Sequence, residues 1–396
     1  MQVTDRPSST LKRPLIGIIA DGVTVSGRDI IQGATEYISA HRQWDVHGVL
    51  RRTVAQTTDW PPFDGAITAG LPSDVFDAIC ARSRYVISCS SSTVSAKAFT
   101  VCLDSVAAGK MGAEHLIECG LQHFSYYGVS HLLPSVNRAK GFVSAVNEHK
   151  LSYIPCPFEY SGLEQPAQGQ PWVELADWLK TLPKPIGILA FDDAAGYYLT
   201  AACRYASINV PEHIAILGVN NDTLFCEIAC TPLSSIEAGF TRVGFTAARL
   251  LDRLLRGERV SESERVLRLP PLGVVKRLST DLLAVNDPPV ADAVKFIREH
   301  ACDPCSVDDV AHSCAISRRL LEQRFAKKLG RTPGEEIMRI RMETAKRLLR
   351  RPELRLREIA NLCGFSDDST FVRAFHHVSG ATPIAYRRSA QLTHSG

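Results

Sequence analysis

The sequence predicts two kinds of domain on one chain of 396 residues. An α/β body with doubly wound parallel sheets spans 14–275, and an all-α domain with two helix-turn-helix units spans 290–390. Two observations predict this. Through the body, apolar runs of strand type alternate with amphipathic runs of helix type, the pattern of βαβ units. The last hundred or so residues then repeat themselves: Phe325, Gly330 and Thr332-Pro333 return 50 positions later as Phe375, Gly380 and Thr382-Pro383. A repeat of that period marks a repeated supersecondary unit. Polar tails at 1–13 and 391–396 and a linker at 276–289, with the turn-forming run Asn286-Asp287-Pro288-Pro289, complete the expected organisation.

In the body, PLIGIIA (Pro14–Ala20) reads as an apolar strand and GRDIIQGATEYISAH as the amphipathic helix after it. GAITAG, YVISCS and FTVCLD are short strands. SVAAGKMGAEHLIECG is a helix whose Gly120 suits the position just past a helix end. HFSYYG, IGILAFDD and AILGVNND are further strands. Ligands of doubly wound folds sit at the carboxyl ends of strands. Polar residues gather at such ends here: Asp21, Asp104, Asp192-Asp193 and Asn220-Asn221-Asp222.

In the first helical copy, Val307, Val310 and Ala311 share one side of a short helix, and Cys314-Ala315-Ile316 forms the turn. Ser317 caps the next helix, whose Leu321 and Phe325 face the core four residues apart. Arg318, Arg319, Glu322 and Gln323 then point outward. In the second copy, Leu356, Ile359, Ala360 and Leu362 form the buried side and Gly364-Phe365 the turn. Ser366, Asp367 or Asp368 caps a helix with Phe371 and Phe375 inside and Ser369, Thr370 and Arg373 outside. Met338, Met342, Ala345 and Leu349 keep one face apolar, so a long helix joins the copies.

Charge supports a nucleic-acid partner. From Asp287 onward there are 19 Lys+Arg against 14 Asp+Glu, whereas residues 1–286 hold 26 against 28. The net +3 therefore hides a basic helical domain behind a slightly acidic body. Basic side chains displace counterions from DNA and supply non-specific affinity. The repeat together with this balance predicts binding to double-stranded DNA, with two recognition helices in the major groove.

The helical region resembles the AraC/XylS family of bacterial transcription regulators. The stretches that carry the resemblance are SRRLLEQRF, RMETAKRLL, IANLCGFSDDSTFVRAFHHVSGATP and Tyr386-Arg387, over about 290–390. It implies base-facing roles for Arg319, Glu322 and Gln323, beside Arg318, in the first recognition helix, and for Ser369, Thr370 and Arg373 in the second. The chemistry suits this: Arg reads guanine, Gln adenine, and Glu accepts from cytosine. Ser and Thr are less selective and also reach phosphate.

The body resembles the sensor of LacI-type repressors, of periplasmic-binding-protein type I. The matching stretches are LDSVAAGKMGAEHLIECGLQHFSYYG, NRAKGFVSA, ILAFDDAAG, VPEHIAILGVNND, LSSI and VGFTAARLLDRLLRG. A LacI-type sensor ahead of an AraC-type reader resembles the XylR-type regulators of xylose operons, with LADWLKTLP, PLSSIEAG and KRLSTD also in common. The resemblance implies two lobes closing on a small sugar, with Arg138, Asp192 and Asn220 at cleft positions and Arg28 and Asp21 as further candidates. A guanidinium or carboxylate can bind neighbouring hydroxyls. In such regulators the position of Asn220 is more often Asp. Asn keeps an acceptor, gains a donor and loses the charge, which leaves the sugar open between xylose, another pentose and a different small sugar.

The resemblance further implies a homodimer, operator DNA, RNA polymerase as a partner, and activation of pentose catabolic genes. No cofactor is expected. Cys302-x2-Cys305 with His312 and Cys314 invites a zinc reading, but Cys314 occupies the turn position that the repeat gives to Cys363, which favours packing. IIADGVTVSG has only a loose version of the glycine-rich turn of a nicotinamide site, and GxSxG is absent, so no enzyme is expected. No run of 18 apolar residues and no secretion-type leader occurs, so a cytoplasmic location is expected, and a stand-alone transport component is not.

Overall fold

The computed structural model describes residues 13–41, 44–50, 61–92, 95, 97–160, 171–282, 287–349, 351 and 353–392. The chain divides into two units between 282 and 283.

In the first unit, β1 (Leu15–Ala20), β2 (Asp45–Leu50), β3 (Phe63–Ala69), β4 (Ser83–Ser88) and β5 (Ala98–Leu103) build one sheet. β6 (His123–Tyr127), β7 (Ser152–Tyr153), β8 (Ile186–Ala190), β9 (Ile214–Val219) and β10 (Ser234–Glu237) build another. β11 (Val266–Leu269) then returns to the first sheet and β12 (Gly273–Val275) to the second. The strand orders are β11-β5-β4-β3-β1-β2 and β12-β10-β9-β8-β6-β7. Every pairing is parallel except β12 on β10, a departure from the expected all-parallel sheets. Strands such as Ile214–Val219 are buried along their whole length, as parallel strands covered on both faces should be.

Helices α1 (Val25–His41) and α2 (Ser73–Arg82) cover the first sheet. α3 (Ser105–Glu118), α4 (Leu133–Glu148), α5 (Pro171–Thr181), α6 (Asp193–Tyr205) and α7 (Thr223–Ile228) belong to the second lobe, and α8 (Phe240–Leu255) returns to the first. Val243, Ala247, Leu250 and Leu251 of α8 share the core of β1, β3 and α1. The chain therefore crosses between lobes three times, at Asp104, at Ala238-Gly239 and at 270–272. Asp104 caps α3 through Ala107 N–H (3.0 Å) and donates its own N–H to Leu269 O (2.7 Å). Gly239 takes φ +73° against Leu272, and Leu272 N–H donates to Glu237 O at 2.8 Å. The three crossings are thus bonded side by side as a hinge.

The expected linker at 276–289 is docked in its first part. Ser279 and Thr280 are buried, and Ser279 Oγ donates to Ile216 O at 2.6 Å. The Ser279 hydroxyl, satisfying a buried carbonyl of β9, binds this stretch to the second lobe.

The second unit is all helix: α9 (Pro288–His300), α10 (Val307–Ser313), α11 (Arg318–Leu329), α12 (Pro333–Leu349), α13 (Leu356–Leu362), α14 (Asp368–Ser379) and α15 (Pro383–Leu392). α10–α11 and α13–α14 are the two helix-turn-helix units, and α12 joins them. Leu321, Phe325, Phe371 and Phe375 are fully buried. Leu362 is not on the buried side as expected. It is 53% exposed while Cys363 is fully buried, because the stripe of α13 runs 356, 359/360, 363 and position 362 falls off it. Among the described residues, no helix is long and apolar enough to cross a membrane.

Candidate effector cleft and DNA-reading face

The carboxyl ends of β6, β8 and β9 hold the polar cluster of the second lobe. β8 runs into Phe191 and Asp192, and the Asp192 carboxylate caps α6 by accepting Ala195 N–H at 2.8 Å. Burial pushes the Asp192 carboxyl up, opposed by that amide bond and by the Arg138 guanidinium. Arg138 lies in α4 and is only 3% exposed. Its Nη1 donates to Phe191 O, and its guanidinium sits over the Phe191 ring, 5.2 Å from the centroid. α3 and α4 pack closely enough to hold it: a Cβ on Gly109 would lie 1.9 Å from Arg138 O. Burial lowers the Arg138 pKa, while Tyr126 and Asp192 support the charged form.

Asn220 leaves β9 with φ +104° and donates its N–H to Ile236 O at 2.9 Å. Among the described residues, its Oδ1 is buried with no hydrogen-bond partner, and so is Nε of Arg138. One is an acceptor lacking a donor, the other a donor lacking an acceptor. Each such group costs about 1–3 kcal/mol when buried unpaired. A ligand hydroxyl, donor and acceptor at once, satisfies either.

Asp193, next to the cap, is fully enclosed. It accepts the hydroxyl of Ser235 and Asp222 N–H at 2.6 Å, tying the ends of β8, β9 and β10, and burial raises its carboxyl well above the usual range. Asp21, on the first lobe, closes a turn by accepting Val23 N–H at 3.0 Å. Arg28 is half exposed, donates to Val23 O at 2.6 Å and stands 3.9 Å from Asp222 of the other lobe. It therefore forms an ion pair across the lobes with Asp222, whose charge also acts on Asp192.

Three participants were not picked out from the sequence. Phe191 supplies both carbonyl and ring to Arg138. Tyr160 is buried, its ring 6.0 Å from Tyr127 and 5.7 Å from Tyr198; burial and the Asp192 charge raise its hydroxyl pKa. It lies in an irregular stretch, where no periodicity singles it out. Asp29 has its carboxyl raised to about 6 by burial and by Glu237, with Arg28 opposing and Asp222 adding. Its helix reads as an ordinary amphipathic one, so only the approach of the second lobe exposes the conflict.

In the reader, Ser317 caps α11 through Leu320 N–H at 3.3 Å, and Asp367 caps α14 through Thr370 N–H at 2.8 Å. The caps leave one face outward. Arg319 and Gln323 are exposed and make no hydrogen bond or ion pair among the described residues. Arg318 differs. It bonds Glu322 (2.9 Å) and Asp308 (3.0 Å), so Arg318 and Glu322 engage each other. On α14, Ser369, Thr370 and Arg373 are all exposed, although the Thr370 hydroxyl donates to Asp367 at 2.9 Å and Arg373 Nε lies 3.4 Å from Ser369 O. The four residues of the zinc reading do not come together: no three His, Cys, Asp or Glu side chains among the described residues are grouped to hold a metal. The Cys302 thiol faces the Thr344 hydroxyl at 3.7 Å.

Comparison with known proteins matches both halves. Residues 113–280 match the periplasmic binding protein-like domain and 310–389 a helix-turn-helix domain. The xylose operon regulatory protein of Escherichia coli K12 is 30% identical over 388 residues, 95% of this chain and 97% of its own. The chain belongs to the xylose operon regulatory protein family. A Haemophilus influenzae member is 34% identical over 295 residues, 72% of this chain and 74% of its own. The solved structure of the xylose-binding transcription activator xylR superposes with a TM-score of 0.77 at 29% identity, covering 96% of this chain and 99% of that one. A LacI family regulator from Enterococcus faecium with bound ribose shares the sensor fold, with a TM-score of 0.53 at 21% identity over 67% of this chain and 98% of its own. As a member of the xylose operon family, the protein is a DNA-binding transcription regulator with a sugar-sensor domain ahead of its reader.

Proposed function

We propose that this regulator senses a pentose in the cleft between the sensor lobes and, as a cytoplasmic homodimer, activates pentose catabolic genes by recruiting RNA polymerase. The observation that carries the sensor reading is a pair of buried atoms without a partner among the described residues, Arg138 Nε, on α4 against the end of β8, and Asn220 Oδ1, just past the end of β9. Arg138 and Asn220 bind ring hydroxyls, and Asp192 accepts a further hydroxyl beside its capping bond. Asp21 contributes from the first lobe. Ligand bridging both lobes favours the closed arrangement and shifts a pre-existing equilibrium. In the reader, Arg319, Gln323, Ser369 and Arg373 contact bases, while Arg318, Glu322 and Thr370 are held by neighbours and act as positioning groups. The sugar is a signal and leaves unchanged.

The relative described as binding xylose makes D-xylose the first effector to test. Asn220 offers a donor as well as an acceptor, so L-arabinose, D-ribose and D-lyxose are also candidates. Calorimetric titration of the full chain with these four pentoses and glucose should give saturable binding to one pentose, lost in Arg138→Met. Asn220→Asp should change which pentose binds best. Absence of binding to all four would remove the pentose reading. Transcription by purified polymerase, with and without that pentose, separates activation from repression.

A further inference from the structure

The stretch between sensor and reader is short, and an arginine holds the chain at each of its ends. On the sensor side, Arg277 donates from Nη1 to Leu233 O (2.9 Å) and from Nη2 to Asn221 Oδ1 (2.8 Å). Asn221 follows the cleft residue Asn220, and both have positive φ, +56° and +104°, a conformation open to few non-glycine residues. The Asn221 side-chain amide also donates to Glu237 at 2.7 Å. The backbone of Arg277 exchanges bonds with Ser234 Oγ (2.8 and 3.0 Å), and Thr280 Oγ1 donates to the same oxygen at 2.8 Å. Residues 276–280 are therefore bound to the ends of β9 and β10, and any rearrangement around Asn220 displaces them too.

On the reader side, ten positions after Arg277, Asp287 stands at the N-cap of α9. Aspartate there ordinarily accepts a backbone N–H of the first turn, but this carboxylate makes no cap bond. It faces Arg324 Nη1 at 3.3 Å instead, with its side chain only 14% exposed. Arg324 belongs to α11, between outward Gln323 and buried Phe325. The equivalent position of α14 is Ala374, so the second recognition helix has no such tie.

We infer that Arg277 and the Asp287–Arg324 pair are positioning residues that report the state of the cleft to the first recognition helix alone. The second unit serves as a constant anchor on DNA. This rests on the cleft being the effector site. Because coupling is reciprocal, DNA held by α11 must also alter the Arg277 end, with or without a sugar.

The test uses the full chain and a duplex selected by this protein from a random-sequence pool. Affinity is measured with and without saturating D-xylose, and amide exchange of Lys276–Asp281 with and without the duplex. In the unmodified protein, xylose should change DNA affinity on the order of 10-fold, within the usual range of coupling, and the duplex should change exchange in Lys276–Asp281. Asp287→Asn and Arg277→Met should each bring the xylose ratio within about 2-fold of unity, with sugar-free DNA affinity within about 3-fold of normal. The charge-reversed double variant Asp287→Arg/Arg324→Asp should recover the ratio. Arg387→Ala, which breaks bonds to Leu349 O and Leu354 O near the second unit, should lower DNA affinity and keep the ratio. A full xylose ratio in Asp287→Asn overturns the proposal. So does unaltered exchange on DNA binding in the unmodified protein, an arm that needs no sugar. Failure of xylose to bind, with the exchange change intact, would instead count against the effector reading.

Discussion

Where the helix after the first helix-turn-helix unit buries Glu336, the helix after the second carries Tyr386, fifty positions on. Glu336 is fully enclosed and pairs with Arg331 at 2.6 Å and Arg339 at 2.7 Å, with the Arg298 charge also acting on it. Burial pushes this carboxyl up, but its bonds and charges from the arginines more than offset that and hold it below the usual range. Tyr386 packs edge-on against Phe375 at 5.6 Å. The turns differ too. Ala315 takes φ +54° where the second copy has Gly364 at +75°. The repeat therefore preserves the apolar skeleton, while the outward residues differ and each interior has its own solution. The first unit is held by charge to α9, the first helix of this domain in sequence, and the second by aromatic packing.

The largest test of that contrast is Glu336→Ala. It strands Arg331 and Arg339 and should cost the reader about 3–5 kcal/mol. Tyr386→Leu, at a half-buried site, should cost less than half as much. Denaturation followed by unit-resolved hydrogen exchange reads both, and equal losses would erase the difference. For DNA, Arg319→Ala should weaken specific binding by about 1–3 kcal/mol if it reads a base. Arg318→Ala should change it little, because Asp308 and Glu322 already hold that guanidinium. Competition against non-specific duplex separates the two variants.

The turns give a smaller effect. A Cβ on Gly364 would lie 2.8 Å from Cys302 O, so Gly364→Ala should destabilise by about 2 kcal/mol through strain and contact. Ala315→Gly relieves a left-handed alanine and should stabilise by less than about 1 kcal/mol, since glycine also frees the unfolded chain. Opposite signs in melting temperature are expected. The smallest effect concerns acid. Thr370 N–H and hydroxyl bonds hold the Asp367 carboxyl below its ordinary value of 3.8. Its contribution is present above 3.8 and is lost as pH falls through the lower, folded value. Acid should therefore fray the start of α14 and spare α11, whose cap Ser317 does not titrate. Amide spectra of Thr370 and Leu320 would show it, and Asp367→Ser should remove the pH dependence.

Much of this architecture is legible in the sequence, because strands, caps and the Phe pairs depend on neighbours at fixed spacing. Pro14–Ala20, Ser317, Gly120 and Phe371/Phe375 are of this kind. Leu362 was misjudged because a seven-residue helix shows less than two periods. Glu336 is invisible in PGEEIM, which reads as a solvated helix start; only folding brings the arginines to it. Arg138 and Asn220 could be singled out by resemblance, but their unpartnered atoms could not. Arg28, a further candidate in the sequence, pairs with Asp222 across the lobes, a contact that no local pattern announces. Asp193, beside the capping Asp192, is a strand-end tie that no local pattern separates from it.

The three crossings at the hinge have a consequence for how the protein is made. The first sheet needs β11, and its core needs α8, yet both are translated only after most of the second lobe. A nascent chain therefore carries β1 to β5 with an uncovered apolar face for well over a hundred codons. The second lobe still lacks β12 when β11 joins the first sheet, so the two lobes must mature almost together. A truncation at any single crossing leaves at least one lobe incomplete. Dissecting the sensor calls for a circularly permuted or co-expressed design, whereas the helical reader, one continuous stretch of chain after the sensor, needs no such return.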